Sequence, residues 1–325
     1  MSTIITVHQH GGPEVLVVEQ RDTPKPGAGE VLIRQEAIGL NFIDVYFRTG
    51  LYPAPNGLPL TPGNEGAGVV LELGAGVTSL KVGDRVAYAG PIGAYAVERV
   101  LPADRLVILP DNIEMPIAAG MMLKGMTAEY LLRRTFALRP EHTLLFHAAA
   151  GGVGLIAGQW AKQIGATTIG TAGGAEKCAL AKANGFDHVI DYSTEDVAAR
   201  VRELTGGKGV DVVYDSVGKD TFEASLNCLR PRGMLVSFGQ SSGAIPPVNL
   251  GLLSQKGSLY VTRPTLFTYI ASRQELEESA GALFGMVGSG KVAIQLNQTY
   301  ALADVAKAHA DLEGRKTTGT TVLLP

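Results

Sequence analysis

The run LLFHAAAGGVGLIAGQWAKQIGA, Leu144–Ala166, carries the strongest chemical signal in the chain. An apolar strand-type stretch leads into small residues, and a helix-type stretch follows. With nothing bulky at Ala149, Gly151, Gly152 or Gly154, and with Val153 among them, a backbone can approach a pyrophosphate closely. The start of the helix adds free N–H groups and the positive end of its dipole. Alanine replaces the first glycine of G-x-G-x-x-G, so the letters alone are weak and the strand–turn–helix context carries the reading.

The adenosine end would be read after the next strand, where NAD-binding chains place an acid on the ribose 2′-hydroxyl. Here the sequence is Thr171-Ala172-Gly173-Gly174, without a carboxylate. Glu176 lies just beyond and would repel a phosphate, but Lys177 follows at once and can pair with a 2′-phosphate. NADPH is therefore expected over NADH.

A second stretch is informative for what it lacks. Pro62–Gly68, PGNEGAG, looks like the G-H-E-G motif of zinc alcohol dehydrogenases with Asn64 in place of the histidine ligand. The six histidines show no ligand spacing, and both cysteines, Cys178 and Cys228, fall in the nucleotide-binding half. Tetrahedral zinc needs three or four N, S or O ligands, so no metal site is expected. Without a Lewis acid to polarise an alcohol or simple ketone, the acceptor must already be activated toward hydride, as a quinone or a conjugated enone is.

These residues need a scaffold, and the length of 325 residues suggests two domains. The first ~120 residues are rich in short β-type runs broken by Gly and Pro, for example Val15–Val18, Val31–Ala37, Gly68–Leu73 and Arg85–Tyr88, which makes an all-β region with turns. A helical turn is expected at Asn41–Arg48, and a helix through Ala118–Arg134. From Thr143 the pattern alternates strands (Thr143–Ala148, Thr167–Thr171, His188–Asp191, Val210–Asp215, Gly233–Phe238, Ser258–Thr262) with helices (Gly152–Ile164, Glu176–Asn184, Thr194–Leu204, Thr221–Leu229). That alternation is the mark of βαβ units and a parallel sheet. Ser193 is the expected N-cap of the third helix. Beyond Ser272 come a helix opened by Ser272-x-x-Glu275, another near Ala303–Leu312, and closing short strands.

The composition, 46% hydrophobic and 18% charged, is that of a globular protein. A net charge of −3 with no long basic run argues against a nucleic-acid or anionic-membrane surface. The N-terminus lacks a signal-type pattern, and no apolar stretch reaches membrane-spanning length. A cytoplasmic protein with two buried thiols is expected.

Several motifs in order, NFIDVYFRTGLYP (Asn41–Pro53), PGNEGAG, HAAAGGVGLIAGQWAK (His147–Lys162), VVYDSVG (Val212–Gly218), LVSFGQSSG (Leu235–Gly243) and KGSLYVTRP (Lys256–Pro264), resemble the zinc-free medium-chain dehydrogenase/reductases, specifically the bacterial NADPH:quinone oxidoreductases related to zeta-crystallin. The resemblance spans essentially the whole chain. It implies a GroES-like β-rich domain from both chain ends (1–123 and 266–325), a Rossmann domain with a doubly wound parallel sheet (124–265), and a cofactor cleft between them. It implies a homodimer joined through the 258–262 edge strand. Asn41 and Tyr46 would face the nicotinamide or the quinone, and Tyr52 would line the acceptor pocket. Lys177, Tyr192 and Arg315 would clasp the 2′-phosphate, Gly173 would sit beside them, and Phe238, Ser241 and Arg263 would contact the nicotinamide side. Ser216, after Asp215, would stand at the cleft edge. No side chain has the sequence credentials of a strong general acid, so proximity and orientation would dominate. An alkenal or enone reductase remains open beside the quinone reading. An RNA-binding or structural role, suggested by zeta-crystallin relatives, finds no basic aromatic stripe here.

Overall fold

The first residues pair at once: β1 (Ser2–Val7) and β2 (Leu16–Arg21) form an antiparallel ribbon from Ser2↔Arg21 to Val7↔Leu16. The computed structural model describes residues 1–325, and they divide into two units. One comprises residues 1–126, 270–288 and 294–325, and the other residues 127–269 and 289–293.

In the first unit, β3 (Glu30–Gly39) is the organising strand, pairing antiparallel with β4 (Glu65–Leu73) and, over Glu30–Arg34, with β6 (Glu98–Pro102). Between β3 and β4 lies α1 (Phe42–Thr49), closed by Gly50 in the left-handed conformation that glycine tolerates. β5 (Arg85–Ala89) joins β4 and β7 (Val107–Ile108) joins β5. Inward-facing Val31, Ile33, Val70, Val86 and Leu101 are buried together in one core, each contributing roughly 1.5–3 kcal/mol by leaving water. Pro13–Val15 is a 3₁₀ turn, so β2 starts one residue later than expected.

α2 (Met115–Tyr130) is buried on nearly every side, which explains its apolar composition. A π-helical turn, Leu131–Thr135, continues it.

The second unit alternates β8 (Thr143–Phe146), α3 (Gly152–Ile164), β9 (Thr167–Ala172), α4 (Ala175–Ala183), β10 (His188–Asp191), α5 (Val197–Leu204), β11 (Val210–Asp215), α6 (Phe222–Cys228) and β12 (Leu229–Ser237). Then follow α7 (Gly251–Gln255), β13 (Tyr260–Thr262) and α8 (Leu266–Tyr269). The six strands are parallel in the order β10-β9-β8-β11-β12-β13. The chain runs outward from β8 to β10 on one side and resumes at β11 on the other, which makes a topological switch point between β8 and β11.

Several expected boundaries shift, β12 most, since it starts at Leu229 rather than Gly233, and three of the differences have a local reason. β8 stops at Phe146, because Ala148 turns left-handed at φ +55°. The edge strand is Tyr260–Thr262 rather than Ser258–Thr262, because Ser258 has φ +57°. Ser193 is not the cap of α5: its N–H and hydroxyl are spent on the Asp191 carboxylate, and Asp196 caps the helix by accepting the Ala199 N–H at 2.7 Å. Cys228 is buried, but Cys178 is only half-buried.

The chain then returns to the first unit. α9 (Arg273–Gly288) opens with the expected Ser272–Glu275 capping box. β14 (Leu296–Ala301), α10 (Val305–Glu313) and β15 (Thr320–Leu324) follow, and β15 pairs with β3 and β14 to complete a seven-stranded sheet, β14-β15-β3-β4-β5-β7 with β6 on β3.

Candidate active site

In the second unit the expected dinucleotide residues follow the carboxyl ends of the parallel strands. The turn after β8 is fixed on both sides, His147 N–H donating to Tyr214 O at 3.0 Å and Ala149 N–H to Thr171 O at 2.9 Å. Gly151 caps α3 in extended conformation, and Gly152, Val153 and Gly154 form its first turn. A Cβ on Gly154 would lie 2.6 Å from the carbonyl oxygens of Ala148 and Ala149, so the helix start packs on the loop as only glycine permits. At Gly151 a Cβ would meet only Ala148 O, at 3.2 Å, which leaves space at the helix mouth. A backbone free of side chains at a helix N-terminus fits a pyrophosphate.

After β9, Gly173 lies against Tyr192, whose hydroxyl would be 2.6 Å from a Cβ there. Lys177 stands half-buried in the first turn of α4. The acid of this corner, Asp191, accepts the Gly174 N–H at 3.0 Å and the Ser193 hydroxyl and N–H. Those bonds, Ser193 foremost, hold its carboxyl below the usual range. They bind it to the loop backbone. Beyond β11, Ser216 O accepts the Ser241 N–H at 3.1 Å, and the Phe238 ring lies 5.6 Å from Phe146. Arg263 donates to Ser237 O at 2.9 Å. Ala149, the α3 glycines, Gly173, Lys177, Tyr192, Ser216, Phe238, Ser241 and Arg263 thus all lie past the carboxyl ends of the parallel strands. Arg315 belongs to the first unit, in the turn after α10 with φ +56°.

Beneath the phosphate turn, His147 is buried between Thr171 and Ser225 hydroxyls, each 3.0 Å away, and Ser225 donates to Asp215 at 2.8 Å. Burial lowers the His147 pKa, although Asp215 opposes this, so the ring stays neutral.

In the first unit, Asn41, Tyr46 and Tyr52 share one corner. Asn41 caps α1, and the rings of Tyr46 and Tyr52 lie 5.1 Å apart with Phe47 5.8 Å from Tyr52. Behind Asn41 is a buried polar network that the sequence reading missed. Asn41 N–H donates to Asp44 Oδ2 at 2.9 Å, and its side-chain amide donates to Glu65 Oε1 at 2.8 Å. Asp44 also accepts from Asn64 (2.7 Å) and Tyr95 (2.9 Å), while Glu65 accepts the Leu123 N–H (2.7 Å) and pairs with Lys124. Tyr95 lies 3.0 Å from His309 Nε2, and Arg48 lies 3.1 Å from His309 Nδ1. Arg48 also holds Glu313 through two 2.8 Å bonds.

The directions of these bonds are determined. Arg48 can only donate, so His309 Nδ1 accepts; Nε2–H then donates to Tyr95, and Tyr95 to Asp44. Burial, with Arg48 adding repulsion, takes the His309 pKa down to about 3. Burial pushes Asp44 up to about 6, against the pull of Asn64, Asn41 and Tyr95 and with help from Glu65. Asp44 is thus a buried acid titrating near neutrality, where none was anticipated. Two signals were available: Asp44 stands at capping distance from Asn41, and Lys124 is the lone charge in the run MPIAAGMMLKGMTA.

A zinc ion does not fit here. Asn64 donates its amide to Asp44, Glu65 is engaged by Lys124, and no group of three His, Cys, Asp or Glu side chains converges anywhere in the chain.

One unit with a parallel sheet of the nucleotide-binding type and a second, largely antiparallel unit built from both chain ends define a two-domain nicotinamide-dependent dehydrogenase. The family profile of the alcohol dehydrogenase GroES-like domain matches residues 27–134, and that of zinc-binding dehydrogenases matches residues 152–284. The quinone oxidoreductase of Pseudomonas aeruginosa is 57% identical over the full length of both chains, and a 2-haloacrylate reductase of Burkholderia sp. is 46% identical over 98% of each. The crystal structure of Escherichia coli quinone oxidoreductase complexed with NADPH superposes with a TM-score of 0.97 at 51% identity, covering 99% of this chain and all of that one. The chain belongs to the quinone oxidoreductase family of medium-chain dehydrogenase/reductases.

Proposed function

We propose that this protein is an NADPH:quinone oxidoreductase that delivers a hydride to a quinone without a metal. The observation that supports the reading is that the glycine turn into α3, Lys177, Tyr192, Phe238 and Arg263 all follow the carboxyl ends of the strands of one parallel sheet. NADPH, when bound, supplies the hydride. The α3 amides would receive the pyrophosphate, and Lys177 and Tyr192 would hold the 2′-phosphate. Ser216, Phe238, Ser241 and Arg263 hold the nicotinamide side. Asn41, Tyr46 and Tyr52 orient the acceptor and donate to its oxygen as negative charge builds.

The likeness to a 2-haloacrylate reductase favours one second reading, reduction of a conjugated double bond. Both acceptors take hydride conjugate to a carbonyl. NADPH oxidation measured with a naphthoquinone, a 2-haloacrylate and an unsaturated aldehyde separates them. The quinone is expected to give a kcat/KM at least tenfold above the others; the reverse order would establish the second reading, and no turnover with any of the three would reject both.

A homodimer formed through β13 fits the open outer edge of that strand, which pairs only with β12 and exposes Tyr260 and Val261. Action in the cytoplasm fits two free cysteines, and no helix is long and apolar enough to cross a membrane.

A further inference from the structure

Asn41 stands against two buried carboxylates, its backbone N–H on Asp44 and its side-chain amide on Glu65. Both acids are fully buried. Lys124, its side chain only 7% exposed, is the cation that touches Glu65. Arg48 is committed to Glu313 and His309. The fold makes room for this contact: β3 ends on Gly39, where any Cβ would run into Glu65 and the Ala119 carbonyl of α2. The approach of α2 brings both the Leu123 N–H and the Lys124 ammonium onto the Glu65 carboxylate.

Such a pair is costly to desolvate. It has an electrostatic consequence for the residue in front of it. Hydride transfer moves two electrons onto the acceptor, and the negative charge on its oxygen persists until a proton arrives from water. A bare Glu65 behind Asn41 would oppose that charge, because low-dielectric surroundings leave the repulsion weakly screened.

We propose that Lys124 is a positioning residue of hydride transfer: its ammonium cancels the Glu65 charge and fixes the Glu65–Asn41 bond, so the acceptor oxygen meets an amide backed by a neutral pair. The inference rests on Asn41 facing the acceptor.

Opposite charge deletions separate this role from a structural one. Lys124→Met and Glu65→Gln each leave one buried charge without its partner, so both lower the thermal midpoint. Both are expected to keep the NADPH dissociation constant, measured by calorimetry, within about threefold of the parent. Their single-turnover rates with a naphthoquinone diverge. Lys124→Met falls by about tenfold or more, equivalent to one decade in a rate constant. Glu65→Gln stays level or rises, since an unopposed cation favours the developing charge. The double variant returns toward the parent, and Lys124→Arg, which keeps the charge and serves if Lys124→Met does not fold, retains most of the rate. Equal slowing of Lys124→Met and Glu65→Gln would overturn the proposal and leave the pair structural. Asn41→Ala tests the underlying reading by itself: a parental rate in that variant would show that Asn41 does not face the acceptor.

Discussion

Asp44 and His309 lie on one hydrogen-bonded line yet respond to acid in opposite senses. The Asp44 carboxyl is raised from 3.8 to about 6, so its ionised form costs the folded state above pH 6, and the cost is relieved as pH falls toward 3.8. The His309 ring is lowered from 6.5 to about 3, so below pH 6.5 the unfolded chain gains a proton that the native protein refuses, and stability is lost down to pH 3. At ~1.4 kcal/mol per pKa unit these are roughly 3 and 5 kcal/mol. His309→Gln is therefore expected to flatten the loss of stability between pH 6.5 and 3, and Asp44→Asn to steepen it between pH 6 and 4. Urea unfolding across that range reads both slopes, and slopes matching the parent in both variants would contradict the assignment. The tyrosines belong to the same scale. Tyr52→Phe is expected to slow turnover a fewfold with unchanged NADPH affinity, because its ring packing on Tyr46 and Phe47 survives. Complete loss of activity with cofactor binding intact would make the hydroxyl an obligatory donor.

At the scale of elements, the contact between α3 and the phosphate turn depends on Gly154. Gly154→Ala puts a methyl group 2.6 Å from two carbonyl oxygens and must push helix and turn apart. NADPH affinity is expected to fall at least tenfold, about 1.4 kcal/mol, while far-ultraviolet dichroism stays native; unchanged affinity would mean that the turn does not receive the pyrophosphate. This element was legible in the sequence: α3 runs from Gly152 to Ile164 as expected, and β10 and β11 have the expected bounds, because strand and helix periods alternate cleanly there. Legibility fails where one residue's conformation decides, as at Ala148 and Ser258 with positive φ, or at Asp191, which takes Ser193 away from capping. The Asp44–Tyr95–His309 chain and the Glu65–Lys124 pair were also hidden. They join residues up to 265 positions apart, counting Arg48 to Glu313, and no local pattern encodes such a meeting.

At the scale of the whole molecule, the open edge of β13 leads to a further expectation. Placing a charge there, Val261→Asp, should convert a dimer to a monomer in sedimentation analysis. An unchanged sedimentation coefficient, or a parent that is itself monomeric, would move the interface elsewhere or remove it.

The most direct measurement is a calorimetric titration of the protein with NADPH and with NADH, repeated with Lys177→Ala. NADPH is expected to bind at least tenfold more tightly than NADH, with the preference collapsing in the variant while NADH affinity barely moves. Equal affinity for the two cofactors, or a preference that survives loss of Lys177, would contradict the assignment of the 2′-phosphate to this corner, and no binding of either would contradict the NADPH-dependent oxidoreductase itself.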